Sequence, residues 1–181
     1  MRRSLVAALV LVPALALAGC GSDSGSTTTT SPSPSVVASS PAGDGFSADG
    51  VTVTGAYGEQ PTITVDSSAT PPSELVVKEI SKGDGKKVGP NSTLSVQYAG
   101  VAWSNGQEFD SSWTNNGGQP IEFPLQQVIT GWQEGLNGVT EGSRVLLIIP
   151  PDMGYGAQGS PPVIGPNETL VFVVDVDGVK S

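Results

Sequence analysis

Only one stretch of this sequence, Gly131 to about Asn137, carries the pattern of a helix, and its own glycines keep it short. Thr130 is placed to cap it, with Gln133 three residues on as the capping-box partner, and Trp132 and Leu136 would share its inward face. Gly135 and Gly138 limit its length. The other ordered-looking segments read as strands. Val51 to Thr54 and Thr62 to Val65 alternate with period two, and Gly55 to Pro61 makes a short connection between them. Glu74 to Ile80 follows the break at Pro71-Pro72, and Gly83-Asp84-Gly85 then supplies a turn. Thr93 to Trp103 sets Leu94, Val96 and Tyr98 on one face and Ser95, Gln97 and Ala99 on the other. Arg144 to Ile149 is almost continuously apolar, as a central strand is. Along Leu170 to Val176, Val171, Val173 and Asp175 share one side. The expected class is α+β: a mainly antiparallel sheet with one short helix.

The residue inventory excludes whole classes of chemistry. The 181 residues include no histidine and one cysteine. Imidazole-based triads, His proton shuttles and His-ligated zinc are therefore absent, as are an intrachain disulfide and any Cys-rich metal site. The net charge of −9 opposes binding to duplex nucleic acid. What remains is a binding module, or an enzyme that works without nucleophile, metal or imidazole.

The amino terminus reads as a targeting segment. Met1-Arg2-Arg3 is a short positive region, and Leu5 to Leu17 is apolar but too short for a permanent span. Leu17-Ala18-Gly19-Cys20 resembles the lipobox of bacterial lipoproteins, which makes Cys20 a lipid-attachment point. Cleavage before Cys20 would leave 6 basic and 17 acidic residues. Lipid rather than charge would then hold the chain at a membrane. Gly21 to Gly50 is rich in Ser, Thr, Gly, Pro and Ala and reads as a disordered tether. The expected organisation is a signal peptide over 1–19, an anchored tether over 20–50, an extension over 51–72 adding strands to a sheet edge, and one domain over 73–181.

Some motifs lead nowhere. Gly154 to Gly159 satisfies G-x-G-x-x-G, but Ser160-Pro161-Pro162 cannot open the helix that a dinucleotide site needs. Asp175-Val176-Asp177-Gly178 lacks the rest of a calcium-ligand ladder. A set of aromatic and apolar residues beside glycine turns remains: Tyr98, Phe109-Asp110, Phe123, Val128-Ile129, Trp132, Tyr155, Val163-Ile164 and Phe172. Composition alone assigns these to core packing.

Their order says more. Tyr98-Ala99-Gly100, Gly106 to Ser112, Val128 to Leu136, Gly142-Ser143-Arg144 through Ile149-Pro150, and Tyr155-Gly156-Ala157 through Ile164 to Phe172 resemble, in register, the FKBP family of peptidyl-prolyl cis-trans isomerases. The resemblance spans roughly Leu75 to Lys180. It implies a curved antiparallel sheet wrapped around the short helix, with the active pocket between them. By that resemblance Trp132 is the pocket floor. Tyr98, Phe109, Val128, Ile129, Val163, Ile164 and Phe172 are its walls, and Ile121 occupies a further substrate-binding position. Phe109, Asp110 and Tyr155 are the implied catalytic residues, and the Ile129 N–H is the implied holder of a substrate carbonyl. The chain departs from the family pattern in four places. No basic residue between Ser112 and Pro120 is present to pair with Asp110; Ile121 and Met153 replace common aromatics; and Ser160 stands where many relatives carry histidine.

The implied activity is prolyl isomerisation without a cofactor. Amide rotation has a barrier of about 18–20 kcal/mol because C–N resonance must be lost. The planar, resonance-stabilised form is the more polar one, so an apolar pocket favours the twisted state differentially. The implied partners are proline-containing segments of exported or unfolded proteins, macrolide inhibitors, and a membrane reached through lipid on Cys20, with the chain a monomer and no nucleic acid involved. The expected location is the extracytoplasmic face of the cell membrane. A proline-peptide-binding module of the same fold, with little turnover, is the alternative.

Overall fold

The computed structural model describes residues 45–180. Cys20, the signal peptide and almost all of the tether lie outside the described residues. The described chain forms two antiparallel sheets. The first contains β1 (Phe46–Ala48), β2 (Val51–Thr54) and β3 (Thr62–Val65), in that order. The second contains β4 (Val76–Ser81), β5 (Thr93–Ala102), β6 (Glu108–Ser111), β7 (Ile121–Pro124), β8 (Arg144–Ile149) and β9 (Leu170–Lys180). Its order is β4-β8-β9-β5-β6, with β7 also paired to β5. A single-turn helix, α1 (Ser112–Asn115), follows β6, and the main helix α2 (Thr130–Leu136) precedes β8. This is the antiparallel sheet with one main short helix that the sequence implies.

The central strands of the second sheet are buried on both faces, which explains why β8 is apolar at nearly every position. Val145, Leu147 and Ile149 point toward α2, where they join Leu94, Val96, Tyr98, Leu136, Phe172 and Val174. Leu146 and Ile148 point the other way and pack with Val101, Trp103, Val171 and Val173 against Val51 and Val53 of the first sheet. Each fully buried aliphatic side chain contributes about 1.5–3 kcal/mol relative to exposure. Period two within the strands thus assigns alternate residues to two different cores.

The glycines of α2 have a packing role as well as limiting its length. A Cβ on Gly135 would lie 2.7 Å from Leu147 Cδ2, and one on Gly131 would collide with Ile149. Bare backbone lets the helix lie directly on β8, with Trp132 and Leu136 buried beside it. The expected capping box does not form. Ile129 is the cap residue, Thr130 is the first helical residue, and no side chain caps the end. Gln133 instead turns its Nε2 back to the Val128 carbonyl at 2.8 Å. Ile129, half-buried against the core, thus holds the cap position that the spacing assigns to Thr130.

The extension also differs from expectation. It starts within the segment assigned to the tether, at Phe46, and it forms its own three-stranded sheet rather than lengthening an edge of the main one. Strand pairs such as Val51↔Val65 and Val53↔Ile63 turn apolar side chains toward the outer core. The amphipathic pattern was legible, but an unpaired edge and an uncovered face are equally good sequence-level destinations for it.

Between the two sheets lies a buried ion pair. Arg144 Nε donates to Asp175 Oδ1 at 2.6 Å and Nη2 donates to Oδ2 at 2.8 Å, both side chains being fully buried. The guanidinium then donates to the Gly55 carbonyl at 2.7 Å and the Glu59 carbonyl at 2.6 Å, and the Gly58 N–H donates to Asp175. The turn between β2 and β3 therefore completes the hydrogen bonding that a buried pair requires. Nearby, a register shift in the β5–β9 pairing leaves Asp177 without a counterpart, and Tyr57 Oη donates to it at 2.9 Å. Burial, with Asp175 alongside, raises the Asp177 carboxyl above its ordinary range, although the tyrosine bond acts the other way.

Candidate active site

The opposite, α2-facing side of the main sheet carries a cavity of about 360 Å³. It is lined by Tyr98, Phe109, Asp110, Phe123, Gln127, Val128, Ile129, Trp132, Tyr155 and Phe172. Trp132 comes from α2, Tyr98 from β5, Phe109 and Asp110 from β6, Phe123 from β7 and Phe172 from β9. Val128 and Ile129 follow a 3-10 turn at Leu125–Gln127, and Tyr155 stands between two further 3-10 turns.

The rings pack mainly edge to face. Trp132 lies 5.4 Å from Tyr98 at 84° and 5.3 Å from Phe172 at 87°; Phe109 lies 5.4 Å from Phe172 at 88°. Such pairs contribute about 0.5–1.5 kcal/mol beyond simple burial and hold one another in place. Gly100 makes the arrangement sterically possible, because a Cβ there would sit 2.7 Å from both the Phe109 and the Phe172 rings. The indole N–H of Trp132 is buried and has no partner among the described residues.

One carboxylate lines this apolar cavity. Asp110 accepts a hydrogen bond from Tyr98 Oη at 2.7 Å and from Asn115 Nδ2 at 2.8 Å. The path of the chain explains both contacts. Ser112, fully buried, bonds the Tyr98 backbone through its hydroxyl and starts α1, which carries Asn115 back over Asp110. Gln97 Nε2 donates to the Gly118 carbonyl and ties down the loop that follows. Asn115 thus supplies a donor where no basic residue is available. Burial pushes the Tyr98 phenol well above its ordinary 10, and its bond to Asp110 pushes the same way.

Eight of the residues picked out from the sequence meet around this cavity: Tyr98, Phe109, Asp110, Val128, Ile129, Trp132, Tyr155 and Phe172. Ile121, Val163 and Ile164 do not line it. Ile121 pairs with Val96 and packs into the side of the inner core. Ile164 is buried in that core, held by paired backbone bonds to Ser160. Those bonds place Val163 in the turn between them, 62% exposed. Phe123, grouped with the aromatics but given no site role, also lines the cavity, and Gln127 lines it without having been singled out. Phe123 carried a signal, because it shares the inward face of β7 with Ile121. Gln127 carried none. Among the described residues no group of His, Cys, Asp or Glu could hold a metal ion. The Gly154–Gly159 loop holds one 3-10 turn, Gly156–Gln158, rather than the start of a helix.

The geometry defines a sheet-and-helix domain with an aromatic-lined cleft. A profile of the FKBP-type peptidyl-prolyl cis-trans isomerases matches residues 84–177. The "FK506-binding protein" of Streptomyces anulatus is 46% identical over 112 residues, covering 60% of this chain and 89% of that protein. The "Probable FK506-binding protein" of Corynebacterium glutamicum is 44% identical over 106 residues, covering 58% and 86%. Among solved structures, FkpA from Escherichia coli superposes with a TM-score of 0.55 at 40% identity, covering 61% of this chain and 51% of its own. The chain belongs to the FKBP-type peptidyl-prolyl cis-trans isomerase family and is an enzyme of that type.

Proposed function

We propose that the aromatic cavity is the isomerase active site and that it acts by desolvating and twisting the X–Pro bond. The observation that carries this reading is the convergence of Tyr98, Phe109, Trp132 and Phe172 on one cleft with a single carboxylate at Asp110. A proline ring seated on Trp132 leaves bulk water, and the twisted imide, having lost its charge-separated resonance form, loses less on that transfer than the planar one. The Ile129 N–H makes no hydrogen bond among the described residues and would hold a carbonyl of the substrate. Tyr155, 42% exposed, would close over the bound peptide and offer its hydroxyl to it. Asp110 would orient Tyr98 and set the polarity at the cavity's edge. Macrolides that fill such a cleft would compete with proline peptides.

A protease-coupled prolyl-peptide assay tests the assignment. Uncatalysed isomerisation takes about 10–100 s, so catalysis at micromolar protein is easily resolved. A rate equal to buffer alone overturns the reading. Phe109→Ala should slow the reaction by opening the wall, and an unchanged rate would place the site elsewhere.

The reading extends to an enzyme attached by lipid at Cys20 to the outer face of the cell membrane, assisting the folding of exported proteins. The lipobox-like Leu17-Ala18-Gly19-Cys20 supports this, together with a Ser/Thr/Pro-rich spacer whose reach is roughly 30 Å as a flexible coil. Cys20→Ser should release the protein from the membrane fraction. Retention of that variant with the membranes would overturn the anchor.

A further inference from the structure

On the reading that this chain acts on unfolded polypeptides, we infer that the open edge of β3 is a second binding site, which takes an extended segment of such a client as a fourth strand of the small sheet. Among the described residues β3 pairs with β2 and has no strand on its other side. The Asp66 N–H donates to the Gly50 carbonyl at 2.9 Å, one step beyond the Val51↔Val65 pair. Bonded and non-bonded pairs alternate along an antiparallel ladder, so Thr62 and Thr64 bond to β2. The N–H and C=O groups of Ile63 and Val65 therefore face the open edge, a row of backbone donors and acceptors with no strand opposite.

Strand edges in water are usually guarded by charge, proline or a bulge. Thr62-Ile63-Thr64-Val65 carries none of these, and all four residues favour strands. Beside this edge lies a groove of about 220 Å³, lined by Pro61, Thr62 and Ile63 of the extension and by Ala99, Val101 and Glu108 of the main sheet. The extension covers Leu146, Ile148, Val171 and Val173 with Val51 and Val53, and the groove begins where that cover ends. A fourth strand would continue it. Residues opposite Ile63 and Val65 would point their side chains to the groove face, so small apolar residues there, alternating with polar ones facing water, match the site. Backbone bonds supply the affinity and the groove the side-chain preference. An unfolded chain offers the free backbone that this requires, whereas a folded one has spent it. A second copy would bring the same net charge of −9, which opposes pairing of like with like.

The test uses the full chain and a fluorescent, neutral peptide alternating valine with serine, with binding read by anisotropy. N-methylation of the valine amides, which would meet β3, should weaken binding by about tenfold. N-methylation of the serine amides, which would face away, should change it by less than about twofold. Thr62→Lys with Thr64→Lys guards the edge from two exposed positions and should also cost about tenfold. Thermal unfolding reports whether that variant is folded, and the methylated peptides test the same claim on the unaltered protein. The variant should lose acceleration of a proline-limited protein refolding reaction and keep its rate on a proline tetrapeptide. Equal binding of the three peptides, or none, overturns the strand site. Discrimination among them that survives the two lysines overturns the assignment to β3. A dimer in sedimentation that the two lysines dissociate gives the edge to a second copy and overturns the client. Peptide binding as expected, with no acceleration of the tetrapeptide by the unaltered chain, overturns the isomerase reading and leaves the strand site standing.

Discussion

The two faces of the main sheet handle polarity in opposite ways. The outer face, under the three-stranded extension, buries a full ion pair whose charged groups are met by backbone of the extension, while Tyr57 reaches the neighbouring Asp177 and leaves its buried Oδ2 without a partner among the described residues. The inner face places a carboxylate at the edge of an aromatic cleft beside neutral donors, leaving the Trp132 N–H without a partner among the described residues. A satisfied network fixes one arrangement; an incompletely satisfied cleft is ready for a ligand. The comparison teaches that the buried ion pair and the proposed catalytic cleft are separated by the thickness of one sheet. Leu146 and Leu147 are adjacent in sequence, yet they serve different cores.

The largest test of that separation is Arg144→Ala. Removing one partner of a buried pair leaves Asp175 uncompensated and should cost about 3–5 kcal/mol, read as a shift in the urea unfolding curve. The isomerase rate of the folded protein at low temperature should stay within about twofold, since a twofold change is about 0.4 kcal/mol of barrier. A rate that collapses while the chain is still folded would break the separation. Trp132→Leu is the complementary change. It should lower kcat/KM by about tenfold, or about 1.4 kcal/mol of transition-state stabilisation. The accompanying stability loss of about 2 kcal/mol should be smaller than that of Arg144→Ala. An unaltered rate would remove Trp132 from the floor of the site.

The smallest effect is on alkaline stability, and it involves both faces. Burial raises the phenols of Tyr57 and Tyr98 above their ordinary 10, and in each case a hydrogen bond to a carboxylate, Asp177 or Asp110, adds to the rise. The unfolded chain loses these protons near pH 10 while the folded chain keeps them. This stabilisation is therefore complete below pH 10 and is lost as pH climbs through the raised values. Unfolding curves from pH 8 to 11 should show the decline, and Tyr57→Phe or Tyr98→Phe should each make it shallower. Only Tyr98→Phe should also alter the isomerase rate. An equal effect of Tyr57→Phe on that rate would show that the outer network reaches the cleft.

Much of this organisation is legible in the sequence. Period-two patterning placed Leu94, Val96 and Tyr98 together, and the four-residue spacing of Trp132 and Leu136 gave the buried side of α2. Other features were not legible, for identifiable reasons. The strand Glu108–Ser111 is four residues long and owes its existence to pairing with β5, which local propensity does not contain. Arg144 looks like the polar start of an apolar run, and Asp175 was seen to share a side with Val171 and Val173 without a partner in view. The two are 31 positions apart, and only the β8–β9 register makes them neighbours. Asn115 as the donor to Asp110 depended on the turn that Ser112 starts. Ile121, Val163 and Ile164 fell outside the cavity because matching a motif fixes a position in the chain, whereas lining a cleft also depends on which way each backbone segment turns.

By itself the sequence determined which reactive groups are on hand. It supplies aromatic rings and carboxylates and no imidazole, and these are properties of the side chains themselves. Tertiary structure decided which carboxylate is neutralised and which is left beside neutral donors. Asp175 meets Arg144 beneath the extension, and Asp110 meets Tyr98 and Asn115 at the cleft. A charge's effect depends on distance and on the medium around it, and both are set only when distant parts of the chain pack together.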